Sequence, residues 1–249
     1  MPRWRHFFNH KYNEQMKDKV AYITGGTKGI GFGVAHVLLK NGIRVAVSGR
    51  KQEDAEETAR ILSEDDTKVF GIASDVKNFE DEKNAVSEII KKFGRLDYVI
   101  ANAGLGIFKP VDELKLEEWN DMIDTNLTGV FHTLKASVKE LKKSEGYFIS
   151  IASLAGTNFF ENGSGYNASK FGVVGFTQAA MIDLRKYNIK VSTIMPGSVS
   201  TNFNGNEPSE KDAWKIQPED IGELVMDLLK MNPRTLPSKI EIRPSKPNG

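Results

Sequence analysis

From Val20 onward, short apolar runs alternate with longer amphipathic stretches. The strand-like runs lie at 20–24, 44–49, 68–73, 96–104, 147–153, 189–197 and 239–243, and the longest helical stretches lie at 116–141 and 166–186. Several runs are apolar and β-branched on both faces, as strands are when helices cover both sides of a sheet. The pattern therefore predicts an α/β fold, with a doubly wound, mainly parallel sheet flanked by helices.

The domain organisation follows from the continuity of this alternation. No internal repeat, low-complexity tract or linker divides the chain of 249 residues, so residues 18–249 are predicted to form a single domain. Residues 1–17 form a basic, aromatic N-terminal extension, expected to lie on its own domain or on a neighbouring subunit. A short organelle-targeting segment is the alternative, but the extension lacks serine and is short for that role.

Composition excludes several classes of site and partner. The chain has no cysteine, four scattered histidines and a formal net charge of +1. These counts exclude a disulfide framework, thiolate zinc sites and cysteine nucleophiles, and we predict no metal site. The charge balance gives no long-range attraction to nucleic acid or to an anionic membrane, and no apolar run approaches the roughly 20 residues of a membrane helix. We expect a cytoplasmic protein without either partner.

A glycine-rich turn, TGGTKGIG at 24–31, joins the first predicted strand to the first helix. Glycines let the backbone turn sharply and approach a pyrophosphate, which the N–H groups of a helix N-terminus can hold. Any tight strand-to-helix turn can use glycine, but the first βα junction is where dinucleotides bind. The turn predicts cofactor contacts by Gly25, Thr27, Lys28, Gly29, Ile30 and Gly31.

The end of the second strand indicates which dinucleotide binds. Folds that select NAD usually place an acid there, whereas this strand ends Ser48-Gly49-Arg50. The Arg50 guanidinium suits a 2′-phosphate, and Lys28 would add a second positive charge. The alternative is that both side chains are merely solvated. We predict NADP(H).

Tyr166 and Lys170 lie at i and i+4 within the sequence YNASK, hence on one face of a helix. A phenol of pKa near 10 is a poor acid or base at neutral pH, and a neighbouring ammonium would lower that pKa into a useful range. The spacing alone occurs by chance in many helices. Ser153, just beyond a strand at the carboxyl edge of the sheet, makes a catalytic group the better interpretation.

In these motifs the chain resembles the short-chain dehydrogenase/reductase family in its compact, single-domain Rossmann form, from about Lys19 onward. TGGTKGIG resembles the family's cofactor turn, and Ser153, Tyr166 and Lys170 match its catalytic serine, tyrosine and lysine. Asn126 occupies the place of the family's asparagine in the long helix. Further matches to cofactor-contacting motifs are Asp75 and Val76 (adenine), Asn102, Ala103 and Gly104 (NAG), and Pro196, Gly197, Val199 and Thr201 (PGxVxT).

The resemblance implies an NADP(H)-dependent oxidoreductase, a carbonyl reductase or alcohol dehydrogenase, that interconverts a carbonyl and a secondary alcohol. Tyr166 would act as general acid/base, Ser153 would hydrogen-bond the reacting oxygen, and Lys170 would lower the pKa of the phenol and bind the nicotinamide ribose. Asn126 would hold a water that connects Lys170 to solvent. Two alternatives stay open: Asn102 could be only structural, and Asp75 could be a helix cap.

The family's substrate-covering lid corresponds to residues 202–216, whose polar composition predicts a mobile loop. By the same resemblance, a partly apolar carbonyl compound would meet Leu105, Gly106, Ile107, Phe159 and Phe160, although the two phenylalanines could instead be core or subunit contacts. The resemblance also implies a homodimer or homotetramer, built through the two long helices and the C-terminal strand.

A non-catalytic NADP-binding redox sensor or scaffold is the alternative function, and loss of the tyrosine, lysine or serine would favour it. An epimerase or dehydratase that uses the same tyrosine and lysine normally has a longer chain.

Overall fold

The computed structural model describes residues 16–246. The elements alternate along the chain, in agreement with the sequence pattern. Their bounds are β1 (Val20–Ile23), α1 (Gly29–Lys40), β2 (Arg44–Gly49), α2 (Gln52–Leu62), β3 (Val69–Ala73), α3 (Phe79–Phe93), β4 (Tyr98–Ala101), α4 (Leu116–Ile123), α5 (Gly129–Ser144), β5 (Tyr147–Ile151), α6 (Ser164–Leu184), β6 (Lys190–Pro196), α7 (Pro218–Lys230) and β7 (Lys239–Ile242).

Within residues 16–246 the strands form one seven-stranded sheet in the order β3-β2-β1-β4-β5-β6-β7. Every neighbouring pair is parallel. The predicted doubly wound parallel sheet is therefore confirmed. The order reverses between β1 and β4, and ligands of open α/β sheets bind in the crevice at the carboxyl ends of such a pair.

The sheet buries both faces, because successive side chains of a strand point to opposite sides. In β1, Ala21 and Ile23 belong to the core cluster that packs against α1 and α7, whereas Val20 and Tyr22 belong to the cluster on the other face. Helices α1 and α7 touch almost backbone to backbone: a Cβ on Gly33 would lie 2.5 Å from Pro218. This contact fixes α1, which begins at the glycine-rich turn.

One predicted helix differs from the sequence expectation. The predicted long helix 116–141 is interrupted by a π-helical turn, Asp124–Thr128, between α4 and α5. Met16, near the end of the predicted N-terminal extension, is buried in the core and its Sδ lies 3.2 Å from the Tyr98 hydroxyl. The rest of the predicted extension, 1–15, lies outside the described residues. Among the helices of 16–246, none combines the length and apolarity needed to cross a membrane.

A buried carboxyl group lies beneath the end of β3. Glu82 of α3 is fully buried, and its Oε1 accepts hydrogen bonds from the hydroxyls of Tyr22 (2.8 Å) and Ser74 (2.6 Å). Its Oε2 is buried without a hydrogen-bond partner among the described residues. Burial raises the pKa of Glu82, against the opposing effect of these hydrogen bonds.

Because the folded protein holds this proton more tightly than the unfolded chain does, stability is greatest below the ordinary carboxyl pKa and falls as pH rises through the raised pKa. We expect Glu82→Gln to raise the free energy of unfolding at pH 8 by about 1–3 kcal/mol, with little gain at pH 5. Urea unfolding at both pH values measures this. Glu88→Gln, an exposed position on the same helix, is the control. A Glu82→Gln protein less stable than the wild type at both pH values would contradict the prediction.

Candidate active site

The glycine-rich turn runs from the end of β1 into α1. Gly25 and Gly29 have φ of 61° and 56°, in the left-handed region that glycine adopts without strain. A Cβ on Gly25 would lie 2.8 Å from Ala103 Cα, so only glycine lets the turn pack this closely on the loop after β4. Lys28 occupies the N-cap of α1 and makes no side-chain cap. The turn is therefore open to a ligand at the helix N-terminus.

Asn102 ties the loop after β4 to this turn. Its Nδ2 donates to the carbonyl oxygens of Thr24 and Gly25, both at 3.0 Å. The Thr24 hydroxyl in turn accepts from the backbone N–H groups of Asn102 (3.0 Å) and Ala103 (3.1 Å). The structural role left open for Asn102 is thus observed, and its contact with a cofactor stays a prediction.

The two predicted NADP-selecting side chains flank the turn. A Cβ on Gly49 would lie 2.7 Å from Thr27 Cγ2, so the end of β2 and the following Arg50 adjoin the turn. Arg50 and Lys28 are both exposed. Neither forms an ion pair with any side chain of the described part of the chain. Both positive charges remain available to an anion.

Asp75 and Val76 follow β3 at the same sheet edge. Asp75 does not cap α3, because Asn78 is the N-cap and its Oδ1 accepts from Glu80 N at 3.0 Å. Asp75 Oδ1 accepts instead from Lys77 N at 3.0 Å. The cap alternative is therefore wrong. The predicted adenine contact of Asp75 and Val76 stays a prediction.

Ser153, Tyr166 and Lys170 converge where β5 ends. Ser153 begins a 3₁₀ turn (Leu154–Gly156), and its Oγ accepts from Ala155 N at 3.1 Å. Tyr166 and Lys170 lie one turn apart on α6, and both are buried. The Lys170 ammonium donates to the carbonyl oxygen of Ile151 at 3.2 Å and lies 5.7 Å from the centroid of the Tyr166 ring.

The pKa values of this pair differ from the sequence expectation. Burial raises the pKa of Tyr166 to about 12, an effect that the nearby Ser153 hydroxyl opposes. Burial also lowers the pKa of Lys170 to about 8. The net pKa of the phenol is therefore above its usual value rather than below it, because desolvation outweighs the hydrogen bond of Ser153. A phenol in this state keeps its proton at neutral pH and is a weaker acid than a solvent-exposed tyrosine.

Asn126 lies in the π-helical turn and is fully buried. It bonds both backbone groups of Leu105, with Nδ2 donating to the oxygen and Oδ1 accepting from the nitrogen, each at 2.8 Å. Its Nδ2 also donates to Ser169 Oγ at 2.9 Å. A Cβ on Gly104 would lie 3.2 Å from Asn126 Oδ1 and 3.5 Å from Lys170 Nζ. Asn126 thus borders Lys170, and its predicted water remains untested.

The PGxVxT segment closes the site from the other side. After β6 ends at Pro196, Val199 bridges Ile216, and Ser200 N donates to Ile216 O at 2.9 Å. A Cβ on Gly29 would lie 3.4 Å from Thr201 Cβ. The segment therefore reaches the glycine-rich turn, and the predicted cofactor residues gather at one sheet edge.

The structure adds two kinds of residue that the sequence analysis did not single out. Asn167 is buried next to Tyr166, and its Nδ2 donates to the carbonyl oxygens of Ala155 (2.6 Å) and Asn158 (2.7 Å), which holds the turn after Ser153 on α6. Phe108 and Phe203 contact the ring of Tyr166. Asn167 could have been singled out in the sequence as a polar residue within a predicted helix. Nothing in the local sequence distinguishes Phe108 and Phe203.

Of the five predicted pocket residues, four lie near Tyr166. Leu105 and Ile107 pack in its small core cluster, Gly106 adjoins Phe203, and the Phe160 ring lies 6.4 Å from the phenol ring. The fifth, Phe159, is 82% exposed and stacks on Phe171 at 5.1 Å. Both phenylalanines at 159 and 160 line an apolar surface groove of about 660 Å³. Residues 202–216, predicted to be mobile, contain two short 3₁₀ turns.

Across residues 16–246, no group of three or more histidine, aspartate or glutamate side chains could hold a metal ion.

Comparison with known proteins gives consistent similarities. Residues 19–212 match the family described as short chain dehydrogenase. An uncharacterized oxidoreductase of Staphylococcus aureus (strain USA300) is 34% identical over 230 residues, which cover 92% of this chain and 98% of that protein.

Two solved structures are similar over almost their whole length. An alcohol dehydrogenase from the archaeon Thermococcus sibiricus, complexed with 5-hydroxy-NADP, is 31% identical with a TM-score of 0.86, covering 93% of this chain and 99% of that one. A metagenomic short-chain oxidoreductase in complex with NADP is 28% identical with a TM-score of 0.80, over the same shares of the two chains.

Proposed function

Because the chain belongs to the short-chain dehydrogenase family, we propose that it is an NADP(H)-dependent oxidoreductase that interconverts a carbonyl group and a secondary alcohol. The observation that carries this proposal is the convergence of Ser153, Tyr166 and Lys170 at the sheet edge that also holds the glycine-rich turn. The solved relative described as an alcohol dehydrogenase, with its NADP derivative, supports the same reaction and cofactor.

The residues present fit a nicotinamide dinucleotide. The turn with left-handed Gly25 and Gly29 offers uncapped N–H groups to the pyrophosphate. The exposed cations Lys28 and Arg50 would hold a 2′-phosphate, and Lys170 would bind the nicotinamide ribose. When bound, the cofactor supplies or accepts the hydride, and the protein supplies orientation and electrostatics.

Tyr166 and Ser153 would act on the reacting oxygen of the substrate. In reduction, the Tyr166 phenol would donate its proton to the carbonyl oxygen, and in the reverse reaction the same phenol oxygen would take the alcohol proton. Ser153 Oγ accepts from Ala155 N, and its own O–H, which lies beside the Tyr166 hydroxyl, would donate to the reacting oxygen and stabilise the charge that develops there. Asn167 holds the intervening turn, so the two hydroxyls keep their relative position.

The first test of this function is the initial rate of NADPH oxidation by the purified protein against a panel of ketones, diketones, acetoacetyl thioesters, keto-sugars and pterins. We expect turnover with one carbonyl class, and slower turnover with NADH in place of NADPH. NADPH binding without turnover of any class would favour the sensor or scaffold instead.

The proposal includes assembly into a homodimer or homotetramer. Helices α4, α5 and α6 leave the large apolar side chains Leu116, Phe131 and Ile182 exposed in the single chain. The strand β7 pairs with β6 on one side and ends the sheet on the other. Large exposed apolar patches mark interaction surfaces, so these helices and this edge are the proposed contacts.

We expect light scattering to give a mass of two or four times 27.7 kDa, and Phe131→Asp to shift the protein toward the monomer, because a buried unpaired charge at an interface is costly. Ile61→Asp, at a more exposed apolar position on α2, should leave the mass unchanged. A monomeric wild type at micromolar concentration would refute the proposed assembly.

A further inference from the structure

Three loops each place one phenylalanine against the ring of Tyr166. Phe108 follows β4, Phe160 follows β5 and Phe203 follows β6. Their ring centroids lie 5.3, 6.4 and 5.9 Å from that of Tyr166, and Phe108 packs edge-on against Phe160 at 5.5 Å. These three phenylalanines form an aromatic enclosure around the phenol.

The enclosure is not an ordinary part of the core. Phe108 is 37% exposed and Phe160 is 45% exposed, although core phenylalanines are usually buried. Scattered exposed apolar side chains are common, but neighbouring rings around one catalytic group form a patch, and such patches mark ligand sites. The exposed ring surface therefore favours an apolar ligand next to Tyr166.

The charged side chain next to the enclosure also favours an uncharged ligand. Lys109 lies next to Phe108 in the chain, and its ammonium is paired with Glu118 at 2.5 Å. Leu105, Ile107 and Met122 pack beside Tyr166 and are apolar. The Lys109 ammonium is already paired and is therefore not available to a substrate carboxylate or phosphate. A neutral carbonyl oxygen needs only hydrogen bonds from the hydroxyls of Ser153 and Tyr166.

We propose that the substrate is an uncharged ketone that carries an aryl or similarly bulky apolar group, and that Phe108, Phe160 and Phe203 determine this specificity. The inference rests on the proposed function and adds the substrate class. An aryl group gains both burial and edge-to-face contacts with the three rings, while a short alkyl group gains little.

The test compares kcat/KM with NADPH for acetophenone, butanone and 4-acetylbenzoate in the wild type and in Phe108→Leu, Phe160→Leu and Phe203→Leu. Leucine keeps an apolar side chain, so folding is retained. We expect the wild type to prefer acetophenone, and each substitution to lower the acetophenone-to-butanone ratio by about tenfold. Phe70→Leu, which alters a ring packed edge-on against Phe93 on the edge strand β3, is the matched control and should leave the ratio unchanged.

A wild-type preference for butanone or for 4-acetylbenzoate would overturn the inference, as would a ratio that none of the three substitutions changes. Binding of acetophenone and butanone is measured in parallel by saturation-transfer NMR, with and without NADPH. If no carbonyl is turned over, the proposed function fails, but the NMR result still tests the inference. Binding of acetophenone that depends on the three rings supports the inference, and equal or absent binding of both ketones overturns it.

Discussion

Tyr166→Phe should fold, bind NADPH and turn over its ketone about 10²–10⁴-fold more slowly than the wild type. The substitution removes one hydroxyl and keeps the ring, whose contacts with Phe108 and Phe203 hold it in place. Without the hydroxyl, neither a proton donor in reduction nor an acceptor in oxidation remains at this position. Single-turnover rates and NADPH fluorescence titration separate the loss of chemistry from any loss of binding.

A second tyrosine provides the matched control. Tyr147 lies on β5, and its hydroxyl is hydrogen-bonded to Ser192 Oγ at 2.6 Å. Tyr147→Phe removes the same group from a buried site and should cost about 1 kcal/mol of stability while leaving turnover near the wild-type value. Turnover of Tyr166→Phe within a few-fold of Tyr147→Phe would remove Tyr166 from the chemistry.

Arg50→Asp should weaken NADPH binding by about 10–100-fold and leave NADH binding unchanged or improved. The expected loss corresponds to a hydrogen bond between charged groups, and an acid at the end of the second strand is what NAD-selecting sites use for the ribose 2′-hydroxyl. Fluorescence titration with each cofactor measures both affinities. Arg60→Asp, on the exposed face of α2, changes the net charge equally and should affect neither. Equal losses of affinity for NADPH and NADH would show that Arg50 does not bind the 2′-phosphate.

Much of the fold was predictable because the inner parallel strands are buried on both faces and are mainly apolar runs, while the edge strand β7 alternates charged and apolar residues. Each predicted run contains the observed strand, from Val20–Ile23 to Lys239–Ile242. The glycine-rich turn and the pair Tyr166 and Lys170 were predictable for a similar reason, since their geometry depends on neighbours within a few residues.

What the sequence could not predict depends on packing between distant segments. Phe108, Phe160 and Phe203 meet because β4, β5 and β6 are adjacent in the sheet, and the three positions are far apart in the chain. The raised pKa of Tyr166 also required the structure, because the spacing to Lys170 indicates a nearby charge but not the depth of burial. Similarly, Glu82 has an ordinary helical context, and only the fold shows that it is buried.

The bridge between Val199 and Ile216 brings together the two ends of the segment that contains Phe203. This backbone pairing therefore fixes the two ends of the segment next to each other, independently of the residues between them. Lengthening a loop whose ends are fixed in this way costs little, about 0.6 kcal/mol for each doubling of its length. Residues 204–215 could thus be exchanged for a longer or shorter loop, which changes what lies beside Phe203 without refolding the domain or displacing the proposed catalytic residues.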